Sequence, residues 1–151
     1  MNRLTKYANL INDLKEKKGG IIEAFHAIEK EYSYLPEDAI VEAAKTFNVS
    51  TAEAYGVATF YSMFSVKPRG KNVIRLCESA PCHIAGADEV FDALKRELGI
   101  DVGESTEDGL FALELTECVG QCQATPVITI NGKAYLDVNP AKIPEILAEY
   151  K

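Results

Sequence analysis

All four cysteines of this 151-residue chain fall between positions 77 and 122, in two close pairs. Cys77 and Cys82 have four residues between them, Cys118 and Cys122 have three, and thirty-five residues separate the pairs. Four thiols so grouped form a tetradentate donor set. A [2Fe–2S] core takes four thiolates, two on each iron, so the pattern reads as one [2Fe–2S] site with each pair serving one iron. A structural zinc also takes four thiolates in closely spaced pairs, and the spacing alone leaves that reading open. Two disulfides would suit an exported chain. A thioredoxin-type dithiol wants two intervening residues and a single pair, which neither pair offers.

The rest of the sequence narrows these readings. The formal charge is −7 and no basic cluster is present to neutralise phosphates, which argues against nucleic acid. The same acidity argues against an anionic membrane surface and would help an electron carrier steer toward a basic patch on its partner. The opening residues show an amphipathic pattern with Asn9, Asn12 and Asp13 inside it, not the apolar core of a signal peptide. No apolar run is long enough to cross a bilayer, so no direct membrane insertion is expected. The expected location is the cytoplasm, including the cytoplasmic face of a membrane complex. Thiols stay reduced there, which counts against disulfides.

Along the chain, Leu4, Tyr7, Leu10, Ile11 and Leu14 recur at helical spacing over residues 4–16, and Gly19-Gly20 is a stop signal. A second helix starts near Ile21, with Ile21, Ile22, Phe25, Ile28 and Tyr32 on one face. Pro36 is suited to the first position of a third, with Glu37 and Asp38 in its first turn and Ile40, Val41, Ala44 and Phe47 as apolar positions. Ser50 and Glu53 have the spacing of a capping box for a fourth helix carrying Ala54, Tyr55, Val57, Ala58 and Tyr61. Residues 1–66 therefore read as a helical bundle. His26 beside its apolar face reads as a structural histidine. The aromatic cluster of Tyr55, Phe60, Tyr61 and Phe64 reads as core or as an interface anchor.

Residues 66–71 are a basic breaker stretch, after which the pattern changes. A strand over 73–76 runs into Cys77. A helix is expected over 84–98, closed by Gly99. Residues 103–109 form a polar loop, and a second strand over 111–115 runs toward Cys118. A third strand over 126–130, the turn signal Asn131-Gly132 and a fourth strand over 134–136 make a hairpin. Asn139 caps a last helix bearing Ile143, Ile146 and Leu147. A strand–helix–strand unit sets its strands parallel through a right-handed crossover, so both cysteine pairs lie at the same carboxyl edge of the sheet, where open α/β sheets hold ligands. Residues 67–151 thus read as an α/β domain with a four-stranded mixed sheet that resembles the thioredoxin fold.

Several segments together carry a family resemblance. They are Val57-Ala58-Thr59-Phe60-Tyr61-Ser62-Met63-Phe64, Lys67-Pro68-Arg69-Gly70, Cys77-Glu78-Ser79-Ala80-Pro81-Cys82-His83, Gly86-Ala87, Glu104-Ser105-Thr106-Glu107-Asp108-Gly109, Cys118-Val119-Gly120-Gln121-Cys122 and Ala124-Thr125-Pro126. With these the chain resembles the 24 kDa-type subunit of NADH dehydrogenases and NAD-linked hydrogenases, a thioredoxin-like [2Fe–2S] ferredoxin. The resemblance spans nearly the whole chain. One departure is Ser79-Ala80-Pro81, where many members carry Gly-Thr-Ala, which bears on hydrogen bonds to the cluster sulfurs.

The resemblance implies a non-catalytic electron-transfer subunit with Cys77, Cys82, Cys118 and Cys122 as ligands of one [2Fe–2S] cluster. Its parent would be a multisubunit NAD(H)-linked oxidoreductase: an NADH dehydrogenase, an electron-bifurcating hydrogenase or a formate dehydrogenase. The implied partner is a subunit that binds FMN and NADH, alongside other iron–sulfur, hydrogenase or dehydrogenase subunits. The chain itself shows no nucleophile–base set and no Gly-x-Gly-x-x-Gly fingerprint. His83 is expected beside the ligand set, not in it, since Rieske centres replace two cysteines by two histidines. The helical half is the expected partner-docking region. The backbone N–H groups near Gly86 and Gly120 are the expected donors to sulfur. The competing readings are a zinc-stapled interaction module and a thiol–disulfide oxidoreductase.

Overall fold

The computed structural model describes residues 3–16 and 19–151, which divide into two compact units at the Pro68–Arg69 bond. The first unit is four helices: α1 (Arg3–Asn12), α2 (Gly20–Tyr32), α3 (Glu37–Phe47) and α4 (Thr51–Phe60). Their apolar faces meet in a core of Tyr7, Ile11, Phe25, Ile28, Leu35, Ile40, Ala54, Ala58 and Phe64. The helix ends follow local chemistry. Ser33 and Asn48 take left-handed conformations that close α2 and α3, each backbone N–H bonding a carbonyl of the last turn. Ser50 Oγ accepts from Glu53 N–H at 3.1 Å, the capping contact its spacing foretold.

Three boundaries in this unit differ from the sequence pattern, one of them at α4, which ends at Phe60 with Tyr61 extended beyond it. α1 stops at Asn12, and Leu14 and Lys15 continue in a tight turn, bonding the carbonyls three residues back. Asn12 and Asp13 compete for backbone groups and favour turns over helix interior. Lys17 and Lys18, in the expected stop region, lie outside the described residues. Pro36 sits one position earlier than expected, at the N-cap of α3. Of the aromatic cluster, Phe64 is core, and the exposed His26 lies against it with ring centroids 4.8 Å apart and planes tilted by 58°, while Tyr55 and Phe60 are exposed.

The second unit contains β1 (Asn72–Cys77), α5 (Ala80–Ile84), α6 (Ala87–Leu98), β2 (Phe111–Thr116), β3 (Ile128–Ile130), β4 (Lys133–Tyr135) and α7 (Ile143–Ala148). The sheet order is β2-β1-β3-β4. β1 and β2 are parallel from Asn72↔Phe111 to Cys77↔Thr116, and the other two pairings are antiparallel. This is the mixed four-stranded sheet read from the sequence. Ile74, Leu76, Leu113, Ile128 and Ile130 pack against Val90 and Leu94 of α6 and Ile143 and Leu147 of α7.

The expected helix over 84–98 starts later, at Ala87, and a separate short helix, α5, precedes it and ends at Ile84. Gly86 stands between them at φ +96, a conformation that ends α5 and starts α6 in a new direction. The hairpin turn has Asn131 and Gly132 both at positive φ, as a two-residue turn matched to strand twist requires. Asn131 also ties the turn to β1: its Oδ1 accepts from Val73 N–H and its Nδ2 donates to Oδ1 of the buried Asn72, both at 2.9 Å. Asn139 caps a short 3-10 turn (Pro140–Lys142) ahead of α7. Part of the 103–109 loop runs along the free edge of β2, with Gly103 N–H donating to Leu113 O and Leu113 N–H to Glu104 O. That covers an edge which would otherwise present unpaired backbone groups. No helix among the described residues is long and apolar enough to cross a membrane.

Candidate metal centre

The parallel pairing of β1 and β2 brings the two cysteine pairs to one edge. Cys77 is the last residue of β1, opposite Thr116 at the end of β2, and the next residue's N–H, that of Glu78, donates to Thr116 O at 3.0 Å. Cys82 lies on α5. Cys118 is in the loop that leaves β2, and Cys122 opens the 3-10 turn Cys122–Ala124. Cys77 N–H donates to Val127 O at 3.2 Å, so the segment leading into β3 forms a third wall. The pairs differ in exposure: Cys77 is 1% and Cys82 2% accessible and both belong to the core, whereas Cys118 and Cys122 are exposed. Cys118 Sγ and Cys122 Sγ are 3.3 Å apart.

The four sulfurs act on one another. Burial pushes the Cys77 thiol up, but hydrogen bonds from the Ser79 backbone, the Cys82 thiol, the Ser79 hydroxyl and the Val119 backbone outweigh it and hold Cys77 below its ordinary value. Burial raises Cys82, as do its bond to Cys77 and the charges of Cys77 and Cys122, against a lowering bond from the Val127 backbone. Cys122 is raised by its bond to Cys118, then by desolvation and by the charges of Cys118 and Cys77. Val119, between the second pair, thus reaches a sulfur of the first. Like-charge repulsion among crowded thiolates is what bound cations relieve.

Donor type and grouping fit an iron–sulfur core. Four thiols in two close pairs suit a binuclear core, which takes two thiolates on each iron. Gly120, at φ +81, turns the loop so that its N–H donates to Cys118 Sγ at 3.4 Å, as expected. The N–H of Gly86 instead closes α5 on His83 O. His83 is exposed, its Nδ1 3.2 Å from Asp88 Oδ1 in the first turn of α6. The sequence reading placed Ser79 in a segment that bears on hydrogen bonds to sulfur, and Ser79 is a partner of Cys77. It missed the backbone of Val119 and Val127 as sulfur partners. A cavity of about 610 Å³ lies at the opposite end of the sheet, lined in part by Leu98, Thr106, Phe111 and Leu147 and by none of the cysteines.

The chain matches the family model for the thioredoxin-like [2Fe–2S] ferredoxin over residues 7–151. It is 36% identical over 140 residues to the HndA protein of the NADP-reducing hydrogenase of Solidesulfovibrio fructosivorans, covering 93% of this chain and 82% of that protein. It is also 36% identical over 137 residues to a subunit of the NADH-quinone oxidoreductase of Escherichia coli (strain K12), covering 91% and 82%. Among solved structures, a chain of an NAD+-reducing [NiFe]-hydrogenase in the air-oxidized state superposes with a TM-score of 0.77 at 24% identity, over 87% of this chain. That match spans 22% of the hydrogenase chain and speaks to the fold. With the family model covering nearly its full length, this chain belongs to the thioredoxin-like [2Fe–2S] ferredoxin family, whose cofactor is a [2Fe–2S] cluster.

Proposed function

We propose that this chain is the one-electron carrier of a multisubunit NAD(P)(H)-linked oxidoreductase in the cytoplasm or on the cytoplasmic face of a membrane. In this reading Cys77, Cys82, Cys118 and Cys122 hold the cluster, and a subunit that binds FMN and NADH is the exchange partner. The observation that carries the reading is the convergence of the two cysteine pairs at the carboxyl edge of the parallel β1–β2 pair. The relatives support the setting, because they are named as subunits of a hydrogenase and of an NADH-quinone oxidoreductase. The bound cluster supplies single-electron chemistry. The chain's own residues orient the sulfurs through the Gly120, Ser79, Val119 and Val127 backbone and keep the first pair dry.

The helical unit is proposed as the docking module. Phe60 is 80% exposed at the end of α4, with Tyr55 and Met63 also exposed nearby in sequence. Exposed aromatic and Met side chains of this kind are common centres of protein interfaces. The test has two arms. Iron and sulfide analysis of the loaded chain, with EPR before and after reduction, should give a binuclear cluster with a signal on reduction only; stoichiometric zinc without visible absorption refutes the cluster assignment. Pull-down of the flavoprotein subunit should succeed with the full chain and fail with Phe60→Ala, at unchanged cluster content. Equal capture by the variant removes the docking role from this surface.

A further inference from the structure

The exposure of the cysteines divides them more sharply than their sequence spacing does. Cys77 and Cys82 are enclosed in the core of their unit, while Cys118 and Cys122 stand in solvent with their sulfurs 3.3 Å apart. A disulfide needs its sulfurs at about 2.05 Å, so this pair is a short side-chain movement from bonding. Three residues lie between the two, and the left-handed Gly120 already turns them toward each other. Exchange with a small disulfide requires a sulfur that the disulfide can reach. The second pair is exposed, and the first is enclosed.

We propose that Cys118 and Cys122 form a reversible disulfide in the cluster-free chain, and that this bond gates cluster loading. The inference rests on the reading that the four thiols are the cluster ligands. The oxidant is a low-molecular-weight disulfide such as oxidised glutathione. One exposed thiolate attacks a sulfur of that disulfide, its S–S bond breaks, and one glutathione thiolate leaves. The neighbouring thiol of the pair then loses its proton to water and attacks the mixed disulfide. The second glutathione departs, and the Cys118–Cys122 bond is made. Two protein thiols are oxidised and one glutathione disulfide is reduced to two thiols, so electrons balance. The product lacks half of the donor set and cannot accept a binuclear core. The bond also keeps the two most accessible sulfurs off the irreversible steps of the oxidation ladder until a dithiol restores them.

The test uses the full-length, cluster-free chain prepared anaerobically. After treatment with oxidised glutathione and alkylation under denaturing conditions, the thiol count should fall by half. Peptide mapping should place the new bond between Cys118 and Cys122, with Cys77 and Cys82 alkylated. The oxidised chain should take up no iron and sulfide, and should load like the untreated chain once reduced with dithiothreitol. Cys122→Ser should instead stop at a mixed disulfide with glutathione on Cys118, read as a mass increase. A bond mapped to Cys77 and Cys82, or equal loading of the oxidised and reduced chains, overturns the proposal while leaving the ligand reading intact. A reduced chain that takes up no iron overturns the ligand reading and the gating with it.

Discussion

Replacing single cysteines by alanine should separate ligation from packing. Every one of the four variants Cys77→Ala, Cys82→Ala, Cys118→Ala and Cys122→Ala is expected to lose the cluster, because each removes one donor from a set with no spare cysteine. In the cluster-free chain the four should not behave alike. Cys77 and Cys82 belong to the packed core of Ile74, Leu76, Val90, Leu94, Val127 and Ile128, so removing a sulfur there deletes buried apolar volume and leaves a small cavity. Taking about 0.8 kcal/mol for the lost transfer of a methylene-sized group, with a similar addition for the unfilled space, gives about 1–2 kcal/mol per substitution. For a unit of this size that is roughly 4–16 °C in Tm. Cys118 and Cys122 are exposed, and their substitution should leave the cluster-free fold within about 0.5 kcal/mol of wild type. The assay is urea unfolding of the reduced, cluster-free variants followed by the far-UV circular dichroism of the whole chain, with iron content of reconstituted samples read in parallel. Equal unfolding midpoints for all four variants would refute the burial argument. Retention of a full cluster by any of them would refute the ligand set.

Three further outcomes are expected. Gly120→Ala should weaken the second cysteine loop by about 1–2 kcal/mol, because an L side chain at φ +81 strains the backbone while meeting no neighbour; Gly120→Asn should cost less, and faster cluster release to a chelator reads the difference. Glu114 accepts from Arg75 Nε at 2.9 Å and Arg69 Nη1 at 3.1 Å across the β1–β2 pair, so Glu114→Gln should destabilise by about 1–3 kcal/mol in urea, and an unchanged midpoint sinks the estimate. Tyr135 is pushed up to about 12 from 10.0, first by desolvation and then by its bonds to Tyr150 and Glu149 against the opposing Lys133. The folded state keeps that proton when the unfolded chain has lost it, so its contribution is fully present below the unfolded value and disappears as pH rises toward about 12; Tyr135→Phe should flatten this part of the stability curve, and parallel curves would contradict it.

The parts of the fold that the sequence foretold rest on short-range signals. Ser50 with Glu53 fixed one helix start, Gly99 one helix end, and Asn131-Gly132 one hairpin; the strand–helix–strand order made β1 and β2 parallel. That order also carried the one long-range inference, the meeting of Cys77 and Cys82 with Cys118 and Cys122. What escaped depends on what covers what. A glycine inside a helical pattern can be tolerated or can break it, and Gly86, at φ +96, breaks it near its start and leaves Ile84 to a separate short helix. Periodicity gave α4 an apolar composition without saying which residues lie under α2 and α3, and so did not distinguish buried Ala54 and Ala58 from exposed Tyr55 and Phe60.

The unequal exposure of the thiols has the same origin, and it bears directly on how such a centre works. Spacing within a pair is a property of one loop; burial of that loop depends on segments far away in sequence. Cys77 is covered because β1 is the interior strand, flanked by β2 and β3, and because the Val127 segment bonds its backbone. Cys82 is covered because it lies on α5 and belongs to the core that Val90 and Leu94 of α6 also fill. Cys118 and Cys122 follow an edge strand and are exposed among the described residues. One pair is therefore fixed by the core and the other presented to solvent, from a topology that places edge and interior strands side by side. In the proposed carrier the enclosed half would hold its sulfur positions while charge changes, and the accessible half would face the redox partner. Exchanging the two roles would require moving β1 to the edge of the sheet, which no change in cysteine spacing could accomplish.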